Sequence, residues 1–129
     1  FKNNIFDIIV FIQPTSPLLT SIDIDGGLNL ISKYNSVFSA YKEHWFPRWR
    51  NKKDPQPIGW EINMRPMRQE KEYNFVENGA FYITTRDCLL SSGLRYSGNI
   101  GIYEMPFSRS IQLDNNDDMK VIKALLENR

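Results

Sequence analysis

Three short segments of this 129-residue chain carry side chains suited to holding a polar, anionic ligand. Gln13, Thr15 and Ser16 offer an amide and two hydroxyls in a loop that Pro14 and Pro17 stiffen, so they can hydrogen-bond a sugar or a base without rearranging. The same hydroxyls can instead bond their own turn. Arg65-Pro66-Met67-Arg68-Gln69 sets two guanidinium groups beside a proline turn, which suits two-point recognition of a carboxylate or phosphate. A solvated basic arm is the plainer alternative. This segment leads into Glu77-Asn78-Gly79-Ala80, where Asn-Gly is also a common turn dipeptide. The third segment, Ser110-Ile111-Gln112-Leu113-Asp114 with Asp117 and Asp118 beyond, puts carboxylates between a strand end and a helix start. Such groups suit Mg²⁺ carrying nucleotide phosphates, although helix capping alone accounts for Asp117 and Asp118.

Other chemistries find little support. His44 and Cys88 have no partner at a recognisable ligand or nucleophile spacing and read as structural, and Asp23 and Asp25 read as helix-start acids. A single cysteine excludes an internal disulfide and a thiolate zinc site, which agrees with a reducing cytosol. Net charge is +1, too small for the phosphate or lipid-surface attraction that nucleic-acid and membrane binders use. Ile8 to Ile12 is too short an apolar run to cross a bilayer, and no leader-like pattern is present, so a cytoplasmic location is expected.

The elements that must position these segments read as one α/β domain over residues 1–129, with 41% hydrophobic and 24% charged residues. Phe6 to Ile12 is a β-branched apolar run, expected as a strand buried on both faces of a parallel sheet and ending in the Gln13 loop. Thr20 or Ser21 caps a helix with Ile22, Leu28, Ile31 and Tyr34 on one face, weakened by Gly26 and Gly27. Ser36 to Ala40 is the next strand, completing a strand-helix-strand unit. Gly79 to Thr84 and Ile100 to Met105 are further strands, Thr85 to Ser92 is a helix ended by Gly93, and Asp114 to Asn116 cap a final amphipathic helix. Residues 42–71 differ from the rest. They hold Trp45, Trp49, Trp60, His44 and four prolines without a helical period, and read as an inserted arm whose aromatics need a partner surface.

Taken in order, the motifs resemble the acylneuraminate cytidylyltransferase, or CMP-sialic acid synthetase, family. The matching pieces are Gln13-Pro14-Thr15-Ser16-Pro17-Leu18, Arg68-Gln69, Glu77-Asn78-Gly79-Ala80-Phe81-Tyr82-Ile83, Gly101-Ile102-Tyr103-Glu104-Met105, and Ser110-Ile111 with Asp114 and Asp118. The resemblance implies an incomplete Rossmann-like nucleotidyltransferase fold, a three-layer α/β/α sandwich with a dimerisation arm. It implies attack of a nine-carbon sugar acid (sialic, legionaminic or pseudaminic type) on CTP with Mg²⁺, in a homodimer. Gln13, Thr15, Ser16, Arg65, Arg68, Gln69, Asn78, Gly79 and Tyr82 would then bind substrate, and Asp114 would hold the metal. Gln112 stands where the family carries a metal-motif aspartate, and Leu19 where it carries an arginine. The family's glycine-rich nucleotide loop has no counterpart here, so the chain is expected to be a carboxyl-terminal part that is inactive alone. A non-catalytic sugar-binding or dimerisation fragment is the competing reading.

Overall fold

The computed structural model describes residues 6–44, 46–70 and 72–128; Phe1, Trp45, Lys71 and the Arg68 side chain lie outside the described residues. In chain order the elements are β1 (Ile8–Ile12), α1 (Ser21–Leu30), β2 (Ser36–Glu43), β3 (Arg48–Arg50), β4 (Gln56–Ile58), β5 (Asn74–Thr85), α2 (Arg86–Ser92), β6 (Ile100–Glu104) and α3 (Asn116–Glu127). The main sheet has strand order β1-β5-β2-β6. β2 and β6 pair in parallel, whereas β5 runs antiparallel to both β1 and β2. The architecture is α/β, as the sequence pattern requires.

Two strand expectations change. β1 pairs only with β5 among the described residues, and Ile8, Val10, Phe11 and Ile12 are exposed. An apolar run records strand character but not what covers it, and α1 packs over β6, β2 and β5, away from β1. β1 and β2 are also not neighbours. β2 continues into an antiparallel ribbon with β5, Lys42 lying opposite Phe75, and β5 thereby lies between β1 and β2.

Successive side chains of β5 point to opposite faces. Phe81 and Ile83 face α1 and form the core with Val37, Ala80 and Met105, packed by Ile24, Leu28, Ile31 and Tyr34. Ile22 points away and is 72% exposed, so the inward position one turn earlier belongs to Ile24. The glycines that weaken α1 as an isolated helix let it approach the sheet. A Cβ on Gly27 would lie 2.6 Å from the Phe81 ring and 2.9 Å from Ile83.

α2 ends at Gly93 in the left-handed conformation, φ 69°. α3 starts at Asn115, whose side chain accepts from the Asp117 and Asp118 amides. The arm forms a hairpin of its own from β3 and β4, with Trp49 and Trp60 edge-on at 5.0 Å. Phe46, Ile62, Met64 and Met67 are exposed along it. Among the described residues no helix is long and apolar enough to cross a membrane.

Candidate functional site

An irregularity in β5 builds the site. Phe38 pairs with Tyr82 and Ala40 with Glu77, so Ser39 alone faces residues 78–81 and β5 must bulge. Asn78-Gly79 is therefore no turn between strands but the crest of that bulge, with Gly79 at φ 67°. Ser39 fills the gap. Its hydroxyl accepts from the Phe81 amide at 3.0 Å and donates to Asn78 Oδ1 at 2.6 Å.

Asn78 Oδ1 also accepts from the Ala80 amide at 3.1 Å, while Nδ2 donates to Ser110 Oγ at 3.0 Å and meets Met105 Sδ at 3.3 Å. Those bonds occupy both acceptor and both donor positions of the amide. Asn78 lines the cavity as a bracket joining β2, β5 and the 105–110 segment, its amide fully engaged within the protein.

A cavity of about 470 Å³ opens over the bulge, lined by Tyr41, Glu77, Gly79, Tyr82, Phe107, Ser110, Gln112 and Asp114 among others. The loop after β1 and the segment after β6 meet at its rim. Gln13 and Ala80 are joined by a backbone bond of 3.1 Å, Leu113 donates to the Thr15 carbonyl at 2.8 Å, and Gln112 Nε2 donates to Ser16 Oγ at 3.3 Å. Gly79 leaves room for both amides: a Cβ there would lie 2.5 Å from Gln13 Oε1 and 2.8 Å from Gln112 Nε2. Gly79→Ala should cost about 1–2 kcal/mol in urea unfolding through left-handed strain and push both glutamines off the rim. Wild-type stability in that variant would refute a left-handed backbone at this position.

Tyr82 forms part of the floor. Its hydroxyl donates to Glu77, and the Arg95 guanidinium sits 4.6 Å from its ring centroid. Burial, with the Glu77 bond, pushes the phenol up to about 12, so it stays a proton donor. Glu77 belongs to a motif segment but carries no ligand role by sequence, and Tyr41 and Phe107, whose rings stack edge-on at 5.3 Å in the cavity wall, carry no sequence signal. Ordinary residue types gave no signal there. Arg65 and Gln69 are exposed on the arm and do not line this cavity, and the Arg68 side chain lies outside the described residues.

Among the described residues no three His, Cys, Asp or Glu side chains group to hold a metal. Asp118 Oδ2 accepts from the Asp114 and Asn115 amides, as a helix-capping carboxylate does. Gln112 is neutral and bonded to Ser16. Asp114 alone lines the cavity with a carboxylate that has no hydrogen bond or ion pair among the described residues. One free carboxylate fits Mg²⁺ only as a shared ligand, with substrate oxygens and water supplying the remainder.

Asp23, read from sequence as a helix-start acid, is fully buried. It accepts from Arg109 Nε at 3.0 Å and Nη2 at 2.7 Å, from the Thr20 amide at 3.1 Å and from the Thr20 hydroxyl at 2.7 Å, and the Tyr103 hydroxyl lies 3.4 Å away. Burial pushes its carboxyl up, but the Arg109 and Thr20 bonds outweigh this and hold it below the usual value.

The same fold occurs in the crystal structure of 4-diphosphocytidyl-2C-methyl-D-erythritol synthase from Anaerococcus prevotii, with TM-score 0.61 and 12% identity over 94% of this chain and 59% of that one. No family model matches the chain. Curated relatives do. N-acylneuraminate cytidylyltransferase B of Danio rerio is 37% identical over 122 residues, the Oncorhynchus mykiss N-acylneuraminate cytidylyltransferase 36% and the Danio rerio A form 34%. Each match covers 89% of this chain and 28% of the relative. The chain, spanning little more than a quarter of those relatives' length, is similar over 89% of its own length to N-acylneuraminate cytidylyltransferases.

Proposed function

We propose that this chain supplies the acceptor side of a cytidylyltransferase that activates a nine-carbon sugar acid with CTP. The anomeric hydroxyl oxygen attacks the α-phosphorus, the bond from that phosphorus to the bridging oxygen breaks, and pyrophosphate leaves with the electron pair while the hydroxyl proton is lost. The observation that carries the reading is the polar cavity over the β5 bulge, where the Gln13, Ser16 and Gln112 segments converge. Phosphoryl-type transfer is mainly positioning and charge neutralisation, so no protein nucleophile is required.

In this reading Tyr82, its hydroxyl proton held on Glu77, offers the phenol oxygen as an acceptor for a sugar hydroxyl, and Tyr41 and Phe107 give the sugar's apolar edges a wall. Arg65 and Arg68 belong to the arm, where Arg65 and Gln69 stay outside the cavity, so their contribution in this reading is positive charge along the approach of the anionic ligands and not direct contact in the pocket. Mg²⁺ would offset phosphate charge, held by Asp114 together with the nucleotide. The exposed Phe46, Ile62 and Met64 suit the arm to a second copy of the chain, giving a homodimer, and the single cysteine suits a reducing, cytoplasmic location. A non-catalytic sugar-binding or dimerisation module is the second reading, favoured by Gln112, which spends its amide on Ser16.

Full-length protein given CTP, Mg²⁺ and a panel of sialic, legionaminic and pseudaminic acids should release pyrophosphate with at least one of them. Absence of turnover with every sugar acid would sink the enzyme reading and leave the binding module.

A further inference from the structure

The side chains that form the cavity's far wall sit on a turn that the sheet does not hold. Phe107–Arg109 forms a single 3-10 turn after β6, and Ser110 follows it. Phe107 stacks on Tyr41, and Ser110 accepts from Asn78 and donates to the Pro106 carbonyl. Between them, Arg109 turns the other way and forks onto Asp23 in the first turn of α1. Four residues, Pro17 to Thr20, separate that helix start from the Gln13–Ser16 loop.

We propose that the Arg109–Asp23 pair is a positioning element of the site, setting the distance between the β1 loop and the Phe107–Gln112 wall. This rests on reading the cavity as the sugar-acid site. A planar guanidinium meeting both carboxylate oxygens fixes orientation as well as distance, which one ammonium cannot do. The carboxylate has no access to water, so loss of the fork would leave it buried with neutral donors alone. Tyr103 and Thr20 also face it, and neither carries a charge to replace the lost cation.

Backbone hydrogen exchange followed by mass spectrometry on full-length protein tests this, using Arg109→Lys and Arg109→Gln. Peptides covering residues 105–114 should exchange at least tenfold faster in Arg109→Gln and several-fold faster in Arg109→Lys, with β2 and β5 peptides within twofold of wild type. Exchange raised equally everywhere, or unchanged in 105–114, would overturn the proposal. Should Arg109→Gln not fold, Arg109→Lys decides by the same comparison. In turnover assays Arg109→Lys should raise KM for the sugar acid about tenfold with KM for CTP unchanged, and equal changes in both would also overturn it. A wild-type protein that turns over no sugar acid ends the functional reading and leaves the exchange comparison to decide whether the pair positions the wall.

Discussion

Phe81→Ala should destabilise the protein by about 3–5 kcal/mol, the range for deleting a fully buried aromatic side chain. The ring is completely inaccessible, in contact range of a Cβ on Gly27 and 5.7 Å from the Tyr103 ring centroid. Nothing can collapse into the space easily. Gly27 has no side chain to extend, and Ile83 and Val37 are held by strand pairing on either side. A domain of this size has roughly 5–15 kcal/mol in total, so the loss is a large fraction of it. Urea unfolding should show a lower midpoint with an unchanged slope. Phe81→Leu, which keeps most of the volume, should cost less than half as much. Equal losses in the two variants would mean that the α1–sheet gap closes freely, contrary to the packing described.

The elements were largely legible because their signals are local. Pro14 and Pro17 end β1, Gly93 ends α2, and Asn115 starts α3, each through a backbone constraint written in its own residue type. What escaped depended on partners far along the chain. Asn78-Gly79 looks like a turn because the residue that makes it a bulge, Ser39, lies 39 positions away from Asn78. Asp23 looks like a helix-dipole acid because its counterion is 86 positions away. The inward face of α1 shifted from Ile22 to Ile24 for a related reason: helical spacing fixes a stripe only once the packing glycines are placed against Phe81.

The site divides in the same way. Gln13, Ser16, Gly79, Gln112 and Tyr82 gather at the bulge; Gln13, Ser16 and Gln112 were legible as polar residues near strand ends, Gly79 only as half of a turn dipeptide, and Tyr82 only through the family resemblance. Thr15 contributes its carbonyl, not its hydroxyl, to the bond with Leu113. Arg65 and Gln69 shared the chemistry but not the place, since they stay exposed on the arm and outside the cavity lining. Charge type marks what a residue can bind. Topology decides where it is.

Asn78 is where the two levels meet, and its replacements should separate structure from binding. Asn78→Ala strips the Ser39 hydroxyl, the Ala80 amide and the Ser110 hydroxyl of a partner inside a buried site, at about 1–3 kcal/mol for each group left unsatisfied. Local relaxation should bring the sum to about 2–4 kcal/mol. Asn78→Asp keeps the oxygen that Ser39 and Ala80 use but loses the donor to Ser110, and it buries a carboxyl whose neighbours at that point are neutral. Such a carboxyl has a folded pKa raised above its unfolded value of about 3.9, so the folded state retains a proton that the unfolded state releases. Its stability deficit against wild type should therefore be small near pH 4 and grow as pH rises toward 7, whereas the deficit of Asn78→Ala should stay constant with pH. Urea midpoints at pH 4, 5.5 and 7 measure both. Ser110→Ala removes only one of the bonds and should cost about 1 kcal/mol at every pH. If Asn78→Ala were as stable as wild type, Asn78 could not be the bracket that holds the bulge, and its amide would be free for the sugar acid after all.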